Sequence, residues 1–371
     1  MRRTSIDWAR GLAVLVMIEA HAFDAWTLPA ERHSIAWRNA VIVAGFAAPL
    51  FLWLAGVAVV LAATRMFERT GSRSAATASI CRRGLEIFVL AFVFRIQAYL
   101  LSPGSPALTI FRVDILNVMG PSIAAAGVVW GLCGTPRARV IAFSTIAAAI
   151  GFATPFLYTA AWVDRLPALL QWYLRHTGEY TTFALTPWSE FVFAGAAAGA
   201  LIAAAAPGRS ENDERFDGLV HAGLALAGAA LVVIGFYAAG RPQVFPGTTF
   251  WTTSPTWFAI RTGIMMIMLA ALGQIESLGA LTAAGRTLVG GLFAPLARLG
   301  RSSLFVYWIH IELVYGYTSY YWWKALPLRG TAAAYVLFCA AMYGAVILRD
   351  RVVRAWRGRP QIVAAPVARQ A

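Results

Sequence analysis

Five ionisable residues interrupt the first apolar stretch of the chain, SIDWARGLAVLVMIEAHAFDAW: Asp7, Arg10, Glu19, His21 and Asp24. An ionisable group at membrane depth costs about a few kcal/mol or more, so it persists where it pairs, lines a wet cavity or does chemistry. At about 100° per residue, Asp7, Arg10, His21 and Asp24 fall within one helical arc of roughly 100°, and Glu19 lies nearly opposite His21. The chemistry that suits this face is proton transfer. A neutral imidazole takes up a proton near neutral pH, and Asp24, one turn on, can hold it in the tautomer that leaves one ring nitrogen free as a general base. A polar contact between helices, with His21 satisfied by Asp24, is the structural alternative.

Other residues can extend this chemistry. His33 follows in the loop AERHSIAW, either as a solvated loop histidine or as a second base. Arg82 and Arg83 stand at the start of the third apolar span. Paired arginines there orient a helix in the membrane, and the same guanidinium forks grip phosphate. Glu86 and Gln97 share one side of that helix, while Arg95 points away from Glu86, free to pair with another helix. Asp114 and Asn117, in FRVDILNVMG, share a face at the start of the fourth span, and Glu190 begins the sixth. These read as interface polar groups or as a cavity wall. His310 and Glu312, in the ninth span, point to different sides, so at most one is expected to share a site with His21. No GxxxxGK[ST], strand-bounded GxGxxG, HExxH or GxSxG occurs, which argues against ATP hydrolysis by the chain itself. Cys81, Cys133 and Cys339 are isolated and offer neither a CxxC metal spacing nor a disulfide framework, and no metal site is expected.

The elements that position these residues follow from composition. The chain has 371 residues, 59% hydrophobic and 13% charged, with a mean hydropathy of +0.65. A soluble domain carries about twice that charge. Apolar runs recur over 7–28, 38–63, 84–102, 114–133, 139–160, 187–206, 218–239, 257–275, 302–319 and 331–348. The fold class expected is therefore all-α: a polytopic membrane protein of about ten transmembrane helices, one integral domain over 1–350 and a basic, disordered tail over 351–371. The basic start resembles that of a signal peptide, but acids interrupt the long apolar stretch, so a retained first helix is expected.

Of the 31 basic residues, about 20 lie in alternate connections and the termini, and about 9 in the remaining loops. Those alternate connections are 64–83, the GTPRAR turn, 207–217 and 276–301. The asymmetry places both termini in the cytoplasm, so the net charge of +14 reads as topology, not as a nucleic-acid surface. The opposite loops are rich in aromatics: Trp162, Trp172, Tyr173 and Tyr180 in 161–186, Trp251 in 240–256, and YYWW in 320–329. They suit a membrane interface or stacking on sugar rings.

Asp7, Arg10, Gly11 and His21 resemble the first helix of the membrane acyltransferase superfamily, with its D-x-x-R-G/A start and a histidine eleven residues after the arginine. Pro49 to Gly56 resembles that superfamily's phenylalanine-rich second span, Arg82–Arg83 its basic third helix, and Leu299 to His310 its late L-G-x-x-S-x-x-x-Y-x-x-H block. Within the superfamily, which is related to the acyltransferase-3 family, the chain resembles the heparan-α-glucosaminide N-acetyltransferase-like branch. The His-x-x-x-Trp-like signature of that branch is similar to His33 to Trp37, which would make His33 the catalytic histidine. The position of His21 is commonly an asparagine there, and Glu86 stands where many members carry another arginine.

The resemblance implies transfer of an acetyl or other acyl group from cytoplasmic acyl-CoA to a hydroxyl or amine of a sugar or glycan on the far side. Arg10, Arg82 and Arg83 would meet the CoA phosphates, with Asp7, Asp114, Asn117 and His310 in support, and His21 or His33 would be the base, with Asp24. His21 lies about 16 Å along the helix from Arg10, close to the reach of a pantetheine arm. A proton-coupled secondary transporter using His21 and Asp24 as its relay is the rival reading, and a non-catalytic scaffold a third. The arginine-rich, compact chain suits the inner membrane of a bacterium, where the bilayer is one partner, and a homo-oligomer is compatible with it.

Overall fold

Helix α1 (Thr4–Trp26) begins where a carboxylate from a distant helix closes it. In a computed structural model, which describes residues 3–102, 104–205, 211–245 and 248–357, Glu276 accepts from the Thr4 amide at 2.7 Å and the Ser5 amide at 2.9 Å. These are first-turn donors that no residue of α1 itself can reach. Twelve further helices follow: α2 (Ile35–Ala44), α3 (Ala47–Thr70), α4 (Arg73–Leu100), α5 (Ile115–Leu132), α6 (Pro136–Thr159), α7 (Ala168–Leu174), α8 (Leu185–Ala204), α9 (Glu211–Ala239), α10 (Pro255–Ala280), α11 (Ala283–Arg301), α12 (Ser303–Tyr315) and α13 (Leu328–Arg357). Among the described residues there is no strand, only the isolated bridges Thr27–Leu326 and Val113–Thr181. The chain is an all-α, polytopic membrane protein.

Each of the ten expected spans coincides with helix. Seven stretches are long and apolar enough to cross a bilayer by length and composition alone. Helices α1 and α4 carry charged side chains through their length, and α12 has only 13 residues. The second span is broken at Gly45–Phe46. Pro49 has no N–H for the Gly45 carbonyl, and its ring crowds that oxygen, so α2 cannot run unbroken into α3.

Three connections differ from expectation. The loop 64–83 shrinks to Gly71–Ser72, because Gly71, at φ +65°, ends α3 in a left-handed cap and the Ser72 hydroxyl accepts from the Ala75 amide at 3.2 Å to start α4. Arg82 and Arg83 therefore lie well inside α4. In 276–301 most of the connection is helix α11, whose apolar residues recur at helical spacing but are diluted by glycines and Arg286, Arg298 and Arg301. The expected tail begins as the end of α13, held by Asp350, which pairs with Arg298 at 3.8 Å and whose carbonyl accepts from Arg354 at 3.2 Å. Residues 358–371 of that tail lie outside the described residues, as do 207–210 of the 207–217 connection.

Small residues let the helices touch. A Cβ on Gly56 would sit 1.9 Å from the Val192 carbonyl oxygen, and one on Gly195 the same distance from that of Trp53, so α3 and α8 meet backbone to backbone. Helices α1 and α11 do likewise through Gly11 and Gly300, with Trp8 stacked on Phe293 at 4.5 Å. At the Asp7 end of α1 lie Glu276, Gly300 and, through Arg298, Asp350. At its other end the 317–327 segment is pinned by the Lys324 amide to the Ala25 carbonyl and the Leu326 amide to that of Trp26, and Thr27 bonds Thr331 at 3.1 Å. Helix α13 thus runs antiparallel to α1.

Candidate active site

A cavity of about 1560 Å³ runs beside α1, walled also by the α2–α3 break, α4, α5, α10 and α12. Single ligand sites run to about 1,000 Å³, so this one has room for more than one molecule. Arg10, His21 and Asp24 all line it, which means it follows α1 for about 20 Å. The face read from the first helix is thus the face that meets the cavity.

At the Arg10 end, the guanidinium donates to the Ser303 hydroxyl at 3.3 Å, and Arg83 lines the wall from α4. Arg82 does not line it. Its side chain is 82% exposed, with Nε 3.3 Å from Glu86, and Arg83 donates to the other Glu86 oxygen at 3.2 Å. Glu86 therefore binds both arginines of the expected pair, and their spacing on α4 turns only one of them toward the cavity. Asp7 lies buried where α1 meets Gly300, off the cavity wall. The α1 terminus is no phosphate site either, because Glu276 already occupies its amides.

At the other end, the Tyr315 hydroxyl lies 3.1 Å from His21 Nδ1 and donates to Asp24 Oδ2 at 3.1 Å. Asp24 therefore acts on His21 through a phenol, not directly. A carboxylate only accepts, so the phenol proton is committed to Asp24 and the phenol oxygen accepts from Nδ1–H, leaving the Nε2 lone pair as the basic site. Asp24 also pairs with Arg32 at 3.7 Å. His310, wholly buried, stands behind His21 with ring centroids 5.2 Å apart, and its Nδ1 donates to the Val306 carbonyl at 2.8 Å. Glu312 lines the cavity while His310 touches His21, so both flank the site. His33 is exposed at the end of the 3₁₀ turn Pro29–His33 and outside the cavity lining.

Asp114 lines the wall and pairs with Arg95 at 3.0 Å, which also donates to the Thr109 carbonyl. Asn117 instead caps α5, accepting from the Asp114 amide at 3.0 Å and donating to the Tyr173 hydroxyl at 3.2 Å. Burial pushes the Tyr173 phenol above its ordinary range, against the pull of Asn117. In the 161–186 loop Trp172 stacks on Tyr180 at 4.9 Å and is buried, so these rings serve packing. Trp188, Trp251 and Trp323 do face the cavity.

Sequence reasoning did not single out Tyr315 or Arg261 among the cavity residues, and Ser303 entered only as the serine of the late block, with no role of its own. Tyr315 reads as one more ring in an aromatic segment, and its partners stand over 290 positions away. Among the described residues no group of three or more His, Cys, Asp or Glu side chains could hold a metal ion. No curated protein matches the chain. The family description "Heparan-alpha-glucosaminide N-acetyltransferase, catalytic" matches residues 2–239, from the start of α1 to the end of α9. That match takes in the first helix, the second span and the basic third helix on which the resemblance rests, and the chain belongs to the heparan-alpha-glucosaminide N-acetyltransferase catalytic family.

Proposed function

We propose that the protein is a membrane-embedded acyltransferase that moves an acetyl, or other acyl, group from cytoplasmic acyl-CoA to a hydroxyl or amine of a sugar or glycan on the periplasmic side of a bacterial inner membrane. The observation that carries this reading is the single cavity that holds Arg10 and His21 about 16 Å apart on one helix. The thioester of acyl-CoA supplies the activated acyl group. Arg10 and Arg83 bind its phosphates at the Asp7 end, where they meet the cavity. The arginine asymmetry of the loops makes that end cytoplasmic. His21 Nε2 removes the proton of the acceptor hydroxyl or amine as it attacks the acyl carbon, the thioester C–S bond breaks, and the imidazolium returns that proton to the departing CoA thiolate. Tyr315 holds the Nδ1 proton, and Asp24, through that phenol, stabilises the imidazolium that forms. Trp251 and Trp323 offer flat faces to a sugar ring at the outer end.

The test is CoA release from acetyl-CoA by purified protein given a panel of amino sugars and periplasmic glycans, with the acylated product followed by label. His21→Ala is expected to abolish turnover, whereas His33→Ala retains it. Full turnover in His21→Ala sinks the assignment of the base. CoA-independent uptake of a solute by proteoliposomes, without acyl transfer, would replace the enzyme with a transporter.

A further inference from the structure

Arg261 is a buried cation of the cavity that neither the proposed transfer nor a neighbouring acid accounts for. It stands on α10 six residues after its start at Pro255, with 7% of its surface exposed. Its guanidinium lies over the Trp257 ring at 4.6 Å and within 6.0 Å of that of Phe46. A Cβ on Gly45 would sit 3.0 Å from its Nη2, so the helix break at Gly45 gives it room. Its Nε has no hydrogen-bond partner, and among the described residues no carboxylate lies within ion-pair distance of it. A buried arginine in this setting carries a large desolvation cost, of which stacking on two rings recovers only part.

A second orphan lies close by. Glu190, on α8, is 2% exposed, and its Oε2 has no partner. Arg261 and Glu190 line one annex of about 10 Å³, which shares Trp188 and Thr252 with the large cavity. That annex has room for about one water. Glu190 and Arg261 thus border the same small space, and Arg261 also lines the cavity that holds His21. A guanidinium so placed presents a planar fork of donors to a bidentate anion.

We infer that Arg261 is a recognition site for an anionic substituent of the acceptor, a carboxylate, sulfate or phosphate carried by the sugar, with Glu190 as its positioning residue. This rests on the acyltransferase reading for its acceptor, but binding can be tested without turnover. Purified full-length protein in nanodiscs is given glucosamine, glucosamine 6-sulfate, glucosamine 6-phosphate or glucuronic acid, and both thermal midpoint and CoA release are read. In wild type, the anionic sugars are expected to raise the midpoint well above what glucosamine does at equal concentration. Where CoA is released, they should show an acceptor KM about tenfold or more lower than glucosamine. In Arg261→Gln the difference between charged and neutral sugars vanishes, and in Arg261→Lys, which keeps charge without the fork, it survives in part. Glu190→Gln weakens it less than Arg261→Gln does.

Equal midpoints for neutral and charged sugars in wild type, or an undiminished difference in Arg261→Gln, overturn the inference. Protection by anionic-lipid nanodiscs over zwitterionic ones, with none from the soluble sugars, would assign the site to a lipid headgroup and equally overturn it. Charge-dependent shifts reduced in Arg261→Lys and lost in Arg261→Gln, with no CoA release from any sugar, would uphold the site while removing the acyltransferase reading. Should Arg261→Gln fail to fold, the Arg261→Lys comparison decides.

Discussion

Tyr315→Phe removes one oxygen and leaves the rest of the ring in place. That oxygen links His21 Nδ1 and Asp24 Oδ2, each at 3.1 Å. The remaining phenyl ring keeps its edge contact with His21 at 5.5 Å and with Trp323 at 5.9 Å, so the perturbation is electronic and orientational, not a cavity. Two hydrogen bonds are lost. The bond to the phenol oxygen strengthens when His21 becomes a cation, and a bond to a charged group contributes about 1.5–3 kcal/mol. The Asp24 side chain is 60% exposed, and its field at the imidazolium is discounted for solvent. The lower half of that range applies, about 1.5–2 kcal/mol, or about 10- to 30-fold in kcat.

The freed imidazole can also place its proton on Nε2, which adds at most a factor of about two if both tautomers are equally stable. KM for acetyl-CoA should not change, because Arg10 lies about 16 Å away along α1. The assay is acceptor-dependent CoA release under saturating donor. Asp24→Asn should cost less, since its amide oxygen still accepts from the phenol, and the Tyr315→Phe/Asp24→Asn double variant should be no worse than Tyr315→Phe alone. A kcat within twofold of wild type in Tyr315→Phe refutes the relay, and so do fully additive losses in the double variant.

Three further outcomes follow from the geometry. Arg10→Ala should raise KM for acetyl-CoA about tenfold or more, whereas Arg82→Ala, whose guanidinium is tied to Glu86 outside the cavity, should change it less than about twofold. Initial-rate titrations with acetyl-CoA decide, and equal effects would break the assignment of the donor end. Gly56→Val forces branched carbons into the Val192 carbonyl, where even a Cβ would lie at 1.9 Å, so folded protein should fall by about 3 kcal/mol or more of stability, read as lost monodisperse yield and thermal midpoint. Arg95→Met strands Asp114, whose side chain is only 17% exposed, and should cost about 3 kcal/mol, with part recovered in Arg95→Met/Asp114→Asn when midpoints of the two variants are compared.

Local patterns in the chain were readable, and partnerships across it were not. The arc of Asp7, Arg10, His21 and Asp24 follows from helical period alone, and three of the four meet the cavity. Asp7 does not, because Gly300 brings α11 against the backbone of α1 at that level. Ten apolar stretches gave ten helical regions, since length and hydropathy are local quantities. Helix α11 escaped because its apolar face alternates with glycine and arginine, and hydropathy averaged over a window erases that alternation. The break at Gly45 was available in principle from Pro49, four residues on, but the surrounding apolar run masks it. Arg82 and Arg83 looked equivalent as a sequence pair. On a helix, neighbours diverge by about 100°, so only one of them faces inward.

The same division explains why α1 can carry so many charges through the membrane. A segment cannot solve its own desolvation, so the groups on its reactive face are answered from elsewhere in the chain, whereas Glu19, on the opposite face, keeps Oε2 without a partner. Glu276 of α10 closes the first amides, Ser303 of α12 meets Arg10, and Tyr315 of α12 stands between His21 and Asp24. All three answering residues lie beyond residue 239, outside the stretch that matches the family, while the groups they answer lie inside it. Helices α10 to α12 therefore hold the reactive face of α1 in register, and loss of any one should misalign it before it unfolds the bundle. The energetic reason is that a buried network is stable only when every member is satisfied. The residues that make the first helix usable are for that reason the ones that its own sequence cannot reveal.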